Sequence, residues 1–270
     1  MQKRTLHCIW QVPVFLPYRQ PPLTDDALAN AEKRIGYKLP GKYIELLKIQ
    51  NGGYIRCKAL KGLNEVIYGI GPYFPSITDF DWADEDVSFE LNGLVPFDGD
   101  GHWHLCLDYR KNKIDPEITF ISLESEIEDT VAESFDQYVE LLELDTEGEY
   151  VIETDLGIEQ MVDEIQQLLK IDFTGPDYYA SGYPIYRGNS NGNLVWVSPN
   201  EVPKGFVRED DARYEELKKE MEGTTLRYPE VPASSLFIQV SDEKERATLF
   251  KSLTDNSFKI MSLKEIIQSS

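Results

Sequence analysis

The chain is poor in the residues that most catalytic and metal-binding sites are built from. It carries three cysteines and three histidines in 270 residues. Cys8, Cys57 and Cys106 are odd in number, widely spaced and form no C-x-x-C pair. That argues against a disulfide framework or a zinc-type ligand set and fits a reducing compartment. There is no H-E-x-x-H and no phosphate-binding loop, and Gly69-Ile70-Gly71 lacks a third glycine and runs into Pro72, so it is no dinucleotide turn. No apolar run approaches the ~18 residues of a membrane span. The N-terminus has basic residues before apolar ones, but Gln11, Pro13 and Pro17 interrupt them and no small-residue cleavage site follows. The expectation is a cytoplasmic protein with no signal peptide, no membrane partner, no cofactor and no metal.

Positive charge is the other scarcity. Lys and Arg total 27 against 48 Asp and Glu, a net charge of −21. Direct binding of nucleic acid, which needs clustered cations, is therefore disfavoured, whereas a basic protein partner would be steered in. From Gly62 to Tyr109 there is no Lys or Arg at all, while acids alternate with Tyr73, Phe74, Phe80, Trp82 and Phe89. Aromatic anchors inside a charged rim have the composition of a protein-binding surface. Asp79, Asp81, Trp82, Asp84, Glu85 and Asp86 are the candidate contact residues. The bland reading of the same run is a solvated loop, with Trp82 filling the core.

What the sequence does have is a strongly punctuated stretch, Ile35 to Ile55. Gly36 suits a left-handed helix end, and Pro40 suits the first turn of the next helix. Tyr43, Ile44, Leu46 and Leu47 follow at helical spacing, and Asn51-Gly52-Gly53 breaks the pattern. This stretch resembles the signature of the SUKH superfamily, which contains yeast cell-wall-synthesis regulators and many bacterial immunity proteins. The carriers are Leu39, Pro40, Tyr43, Leu46, Leu47, Asn51, Gly52 and Gly53, supported by Gly99 to Asp108, Ile118 to Leu123, and Ser134 to Leu144. The resemblance covers roughly the first half of the chain. It implies an α+β fold with an antiparallel sheet and flanking helices, and no catalytic residues. For a bacterial member it implies an immunity protein that neutralises a cognate toxin, often one that attacks nucleic acid. For a eukaryotic member it implies a regulatory scaffold.

The remaining elements are read locally. Leu6 to Leu16 is at best an edge strand because of Pro13. Thr24 caps a helix carrying Leu28, Ala31 and Ile35, with Leu23 able to staple it. Tyr54 to Cys57, Val66 to Ile70, Leu94 to Phe97, His102 to Tyr109 and Ile118 to Leu123 are strands, and Ser134-x-x-Gln137 opens a late helix. Thr146 to Glu149 is a polar break, which divides the chain into 1–147, the SUKH-like domain, and 148–270, a second α+β region of unknown type. There, Ile158 to Leu169 and Asp242 to Leu253 read as helices. Asp210 to Met221 reads as a charged helix. Tyr183 to Arg187 and Leu194 to Ser198 read as a hairpin around the loop 188–193. Leu236 to Val240 and Phe258 to Met261 are strands, and Ser262-x-x-Glu265 caps a last helix.

Two patterns mimic chemistry. Asp98, Asp100, His102 and His104 suggest a metal-dependent hydrolase, an alternative of another class, because two histidines two apart on a strand share a face. Yet Trp103 and Tyr109 stand where a calcium loop needs Gly and Glu. Gly188-Asn189-Ser190-Asn191-Gly192 matches a nucleophile elbow, but strand rather than helix follows it and no histidine lies downstream. The expectation is a non-catalytic module that binds a protein, namely a basic toxin domain.

Overall fold

Local signals set the first helices. Thr24 accepts a hydrogen bond from the Ala27 N–H at 3.1 Å and starts α1, Asp25–Ile35, whose first turn holds Asp25 and Asp26 at the positive end of the dipole. Gly36 ends it at φ +87°. Pro40 sits one position earlier than its sequence suggested: it is the N-cap of α2, Gly41–Ile49, which buries Tyr43, Leu46 and Leu47. In this computed structural model residues 9–60, 65–83 and 85–269 are described. They divide into two units, Met1–Asp145 and Thr146–Ser270. The antiparallel sheets and surrounding helices make the fold α+β. No helix among the described residues is long and apolar enough to cross a membrane.

In the first unit a four-stranded antiparallel sheet runs in sequence order: β1 Leu94–Gly99, β2 Trp103–Asp108, β3 Glu117–Ser122 and β4 Ile127–Ala132. Ser134 accepts from Gln137 N at 3.2 Å and opens α3, Phe135–Leu141. Alternation along β2 and β3 gives the sheet two apolar faces. Phe97, Leu105, Leu107 and Ile118 join Tyr43, Leu46, Leu47, Phe135 and Tyr138 in the main core. Leu94, Cys106 and Ile121 face the other way, into a smaller cluster with Leu91. Strand β4 eluded the sequence reading because it is an exposed edge, with residues 127–130 in solvent and two acids among them. The expected strands Tyr54 to Cys57 and Val66 to Ile70 shrink to the pairs Gly53–Tyr54 and Cys57–Lys58, and Val66–Ile67. Of the expected N-terminal strand, Val14–Phe15 is extended and Trp10 bridges Ile55, while Leu6 to Cys8 lie outside the described residues.

The second unit is a six-stranded antiparallel sheet with strands β5 Tyr150–Glu153, β6 Phe173–Asp177, β7 Ile185–Ser190, β8 Asn193–Pro199, β9 Leu236–Val240 and β10 Lys259–Ser262, ordered β6-β7-β8-β9-β5-β10. Helices α4, Ile158–Leu169, and α5, Glu243–Asp255, bury Met161, Ile165, Leu249 and Leu253 against Val195, Val197, Ile238 and Val240. Ser262 and Glu265 cap α6, Leu263–Ser269, reciprocally. The hairpin is tighter than its polar residues implied. Residues 188–190 continue β7, and only Asn191-Gly192 turns, at φ +52° and +87°, the geometry that Asn-Gly favours in two-residue hairpins. The charged helix expected over Asp210 to Met221 is reduced to Tyr214–Leu217 and a 3-10 turn, Lys218–Glu220. Only Leu217 of these residues is buried, so no apolar stripe extends the helix.

Candidate functional site

The acidic stretch lies against the second face of the first unit's sheet. Trp82, Val87 and Phe89 pack on Leu91, Leu94, Cys106 and Ile121. Trp82 is half-buried, and its indole N–H donates to the Leu94 carbonyl at 3.0 Å. Phe80 stacks on Tyr68 with centroids 5.1 Å apart. Both Phe80 and Trp82 meet the His104 ring in T-shaped contacts, with centroids 5.3 and 5.5 Å away. The rings thus fasten the segment to its own sheet, so Trp82 is an internal anchor as well as a partly exposed surface.

The carboxylates point the other way. Asp79, Asp81, Glu85 and Asp86 are exposed, and Asp84 lies outside the described residues. Asp79 and Asp81 also shape the backbone, accepting from Ser76 N at 2.8 Å and Ala83 N at 3.1 Å. At the far end Arg110 donates to the Glu90 carbonyl at 2.9 Å, but its charge is taken up by Asp108 and Glu128, at 2.6 and 2.7 Å. The field of the four exposed acids is left standing.

The residues suggested for a metal do not converge. β2 begins at Trp103, so His102 lies in the turn rather than beside His104 on the strand; it is exposed and 2.8 Å from Glu124. His104 is buried under Phe80 and Trp82, and burial lowers its pKa to about 4. Asp98 is buried on another side, accepts from Val66 N at 3.2 Å, and is raised well above the usual carboxylate range by that burial. Asp100 caps the turn through the N–H groups of His102 and Trp103. Among the described residues no His, Cys, Asp and Glu cluster is placed to hold a metal ion. Ser190 of the apparent nucleophile elbow is a strand residue that donates to Glu245, with no strand-to-helix turn around it.

The Asn51 region is more than a helix stop. Asn51 is buried, and its amide donates to the carbonyls of Pro21 at 2.6 Å and Ile70 at 2.8 Å while accepting from Ile70 N at 2.8 Å. Its own carbonyl accepts from Gln20 N at 2.7 Å. Gln20, also buried, reaches on to the backbone of Tyr73 and Pro75. The glycines allow this close approach: a Cβ at Gly52 would lie 2.7 Å from Gly69 N, and one at Gly69 would lie 2.5 Å from the Asn51 carbonyl oxygen. Tyr43, wholly buried, donates from its hydroxyl to the Tyr68 carbonyl beside this clasp. The motif residues therefore organise the loop that leads into the acidic segment.

Residues 22–141 match the SMI1 / KNR4 family (SUKH-1). The N-terminal unit belongs to the SUKH superfamily. The match takes in both helices, the Asn51 clasp, the acidic segment and the four-stranded sheet of this SUKH unit, and it ends at Leu141, the last residue of α3. No curated protein and no solved structure matches the chain.

Proposed function

We propose that this chain is a non-catalytic protein-binding module, an immunity protein that sequesters a basic, nucleic-acid-targeting toxin domain in the cytoplasm. Membership of the SUKH superfamily supports a protein-binding role of the immunity or regulatory kind. The observation that carries the surface is the division of labour in the acidic segment, where the rings bind inward and Asp79, Asp81, Glu85 and Asp86 are left exposed. A cationic cleft meeting that field would be drawn in by steering and blocked by simple occlusion, with no bond made or broken. Trp82, held at its indole nitrogen, offers the remaining exposed part of its ring as a rigid contact.

The test is growth on co-expression. Each polypeptide encoded beside this chain in its genome is produced alone and with it. One neighbour should arrest growth alone, lose that effect in the chain's presence and co-purify with it as a complex. If no neighbour is toxic, the immunity role fails; a tight complex with a non-toxic protein would favour the regulatory scaffold instead.

A further inference from the structure

We propose that the second unit carries a binding site for a small organic anion, an oxyanion attached to a flat ring, on the sheet face turned away from α4 and α5. The face is defined by register. Arg187 of β7 pairs with Trp196 of β8, which pairs with Gln239 of β9, and Ser198 pairs with Phe237 in the next row but one. The intervening residues Val195, Val197, Ile238 and Val240 fill the helix-covered core, so this row faces the opposite side. A cavity of about 290 Å³ opens there, lined by Arg187, Arg227, Tyr183, Trp196, Ser198 and Gln239 among others.

Two observations point to an anion. In a chain with 48 acids and 27 bases, both charged residues lining the cavity are arginines and none is a carboxylate. Both guanidiniums are also held in place before any ligand arrives. Arg227 lies 5.0, 5.2 and 4.9 Å from the ring centroids of Tyr183, Tyr228 and Phe237. Its terminal nitrogens donate to Glu149 at 3.0 Å and Ser198 at 3.3 Å. Gln239 donates to the same Glu149 oxygen at 2.7 Å, and the other oxygen of this buried carboxylate has no protein partner. Arg187, half exposed, is paired with Asp177 at 2.9 Å. Each arginine is thus paired with a carboxylate that is not itself among the lining residues, so the cavity presents guanidinium and aromatic groups.

A ligand oxyanion would accept from the two guanidiniums, and its ring would lie along Trp196 and Tyr183. The volume is at the small end of ligand sites, roughly 300–1,000 Å³, which suits one ring with its acid group. Carboxylate and phosphate share this chemistry. Exposed Tyr178 and Tyr179 form the neighbouring loop, which Asp177 folds by accepting from Tyr179 N at 3.0 Å.

The test is calorimetric titration of the full chain with benzoate, phenyl phosphate and inorganic phosphate. The expected result is one-to-one binding of at least one ring compound, more tightly than inorganic phosphate. Arg187→Gln should weaken it about tenfold, the value of one charge-assisted hydrogen bond. Asp177→Asn, which frees Arg187, should tighten it, and circular dichroism should be unchanged in both variants. No binding of either ring compound, or inorganic phosphate binding as tightly as phenyl phosphate, would overturn the proposal. So would an Arg187→Gln chain, folded by circular dichroism, that binds like the parent.

Discussion

Each unit has a sheet with helices over one face, and the two cover the other face with opposite chemistry. In the SUKH unit the cover is a strap of aromatic residues that turns its acids to solvent. In the second unit the corresponding face keeps a cavity lined with two arginines and aromatic rings. Both arrangements depend on a buried asparagine. Asn51 fastens the loop before the strap. Asn200 donates to the carbonyls of Tyr228, Val231 and Pro232 at 3.2, 2.7 and 3.0 Å and accepts from Tyr228 N at 2.9 Å, next to Arg227. An asparagine serves because one side chain can both donate and accept, like a stretch of backbone. The surface chemistry of each unit therefore rests on the loops such clasps hold, while the sheet beneath is apolar in both.

The largest effects should come from removing the clasps. Asn51→Ala removes the partner of the buried Ile70 N–H and carbonyl, at about 1–3 kcal/mol for each group left unsatisfied, and releases the Pro21 carbonyl as well. Asn200→Ala should be comparably severe in the second unit. If the units fold independently, scanning calorimetry will show each variant lowering one transition and sparing the other. Both transitions moving together would instead make the chain one cooperative body. Gly52→Val belongs to the same group, since its φ of +89° and its contact with Gly69 both oppose a side chain.

A smaller effect, confined to the SUKH unit, should follow pH. His104 is buried neutral with its pKa lowered to about 4, so the unfolded chain binds this proton more readily than the folded one. Stability from this residue is complete above the unfolded value of ~6.5 and is lost as pH falls through the window toward 4, by up to roughly 3 kcal/mol. Asp98, raised by burial, contributes in the opposite sense: stability present at low pH is lost as pH rises through its folded value. Denaturant midpoints of the parent and His104→Leu chains between pH 4 and 7 separate the two. The parent should lose stability relative to the variant as pH falls, and parallel curves would contradict this.

Trp82→Ala should cost about 2 kcal/mol, through the lost hydrogen bond to Leu94 and the half-buried ring. It should also raise hydrogen exchange along the strap more than in α2. That orientation was not legible in the sequence, which offered Trp82 as an exposed hot spot within an acidic rim or, in the blander reading, as a core residue under a solvated loop. In the structure the ring is half-buried against its own sheet, with its indole N–H donating to the Leu94 carbonyl. Capped helices were legible because Thr24, Ser134 and Ser262 signal within three residues of their partners. Strand β5, paired on both sides in its sheet, was lost in the polar break before it because Tyr150–Glu153 is four residues long and its partners lie 84 to 112 positions away. The arginine-lined cavity was invisible for the same reason, since its residues run from Ser181 to Gln239 and meet only across strands.

The smallest effect on stability should accompany the largest effect on encounter. Replacing Asp79 and Asp81 by Asn, Glu85 by Gln and Asp86 by Asn removes four negative charges and keeps an acceptor oxygen for Ser76 N and Ala83 N. All four side chains are exposed, so the stability should hold within the ~0.5 kcal/mol typical of surface changes. Association with a basic partner depends on the summed field, and it should slow by about tenfold at low salt, with a flatter dependence on ionic strength. Dissociation should change little, because rim charges set the encounter more than the docked contact. A stopped-flow series in salt reads both rates. Were the association rate and its salt slope unaltered, the strap would be only a solvated cover for its sheet, and the contrast between an acidic docking face and an anion-binding cavity would rest on the second unit alone.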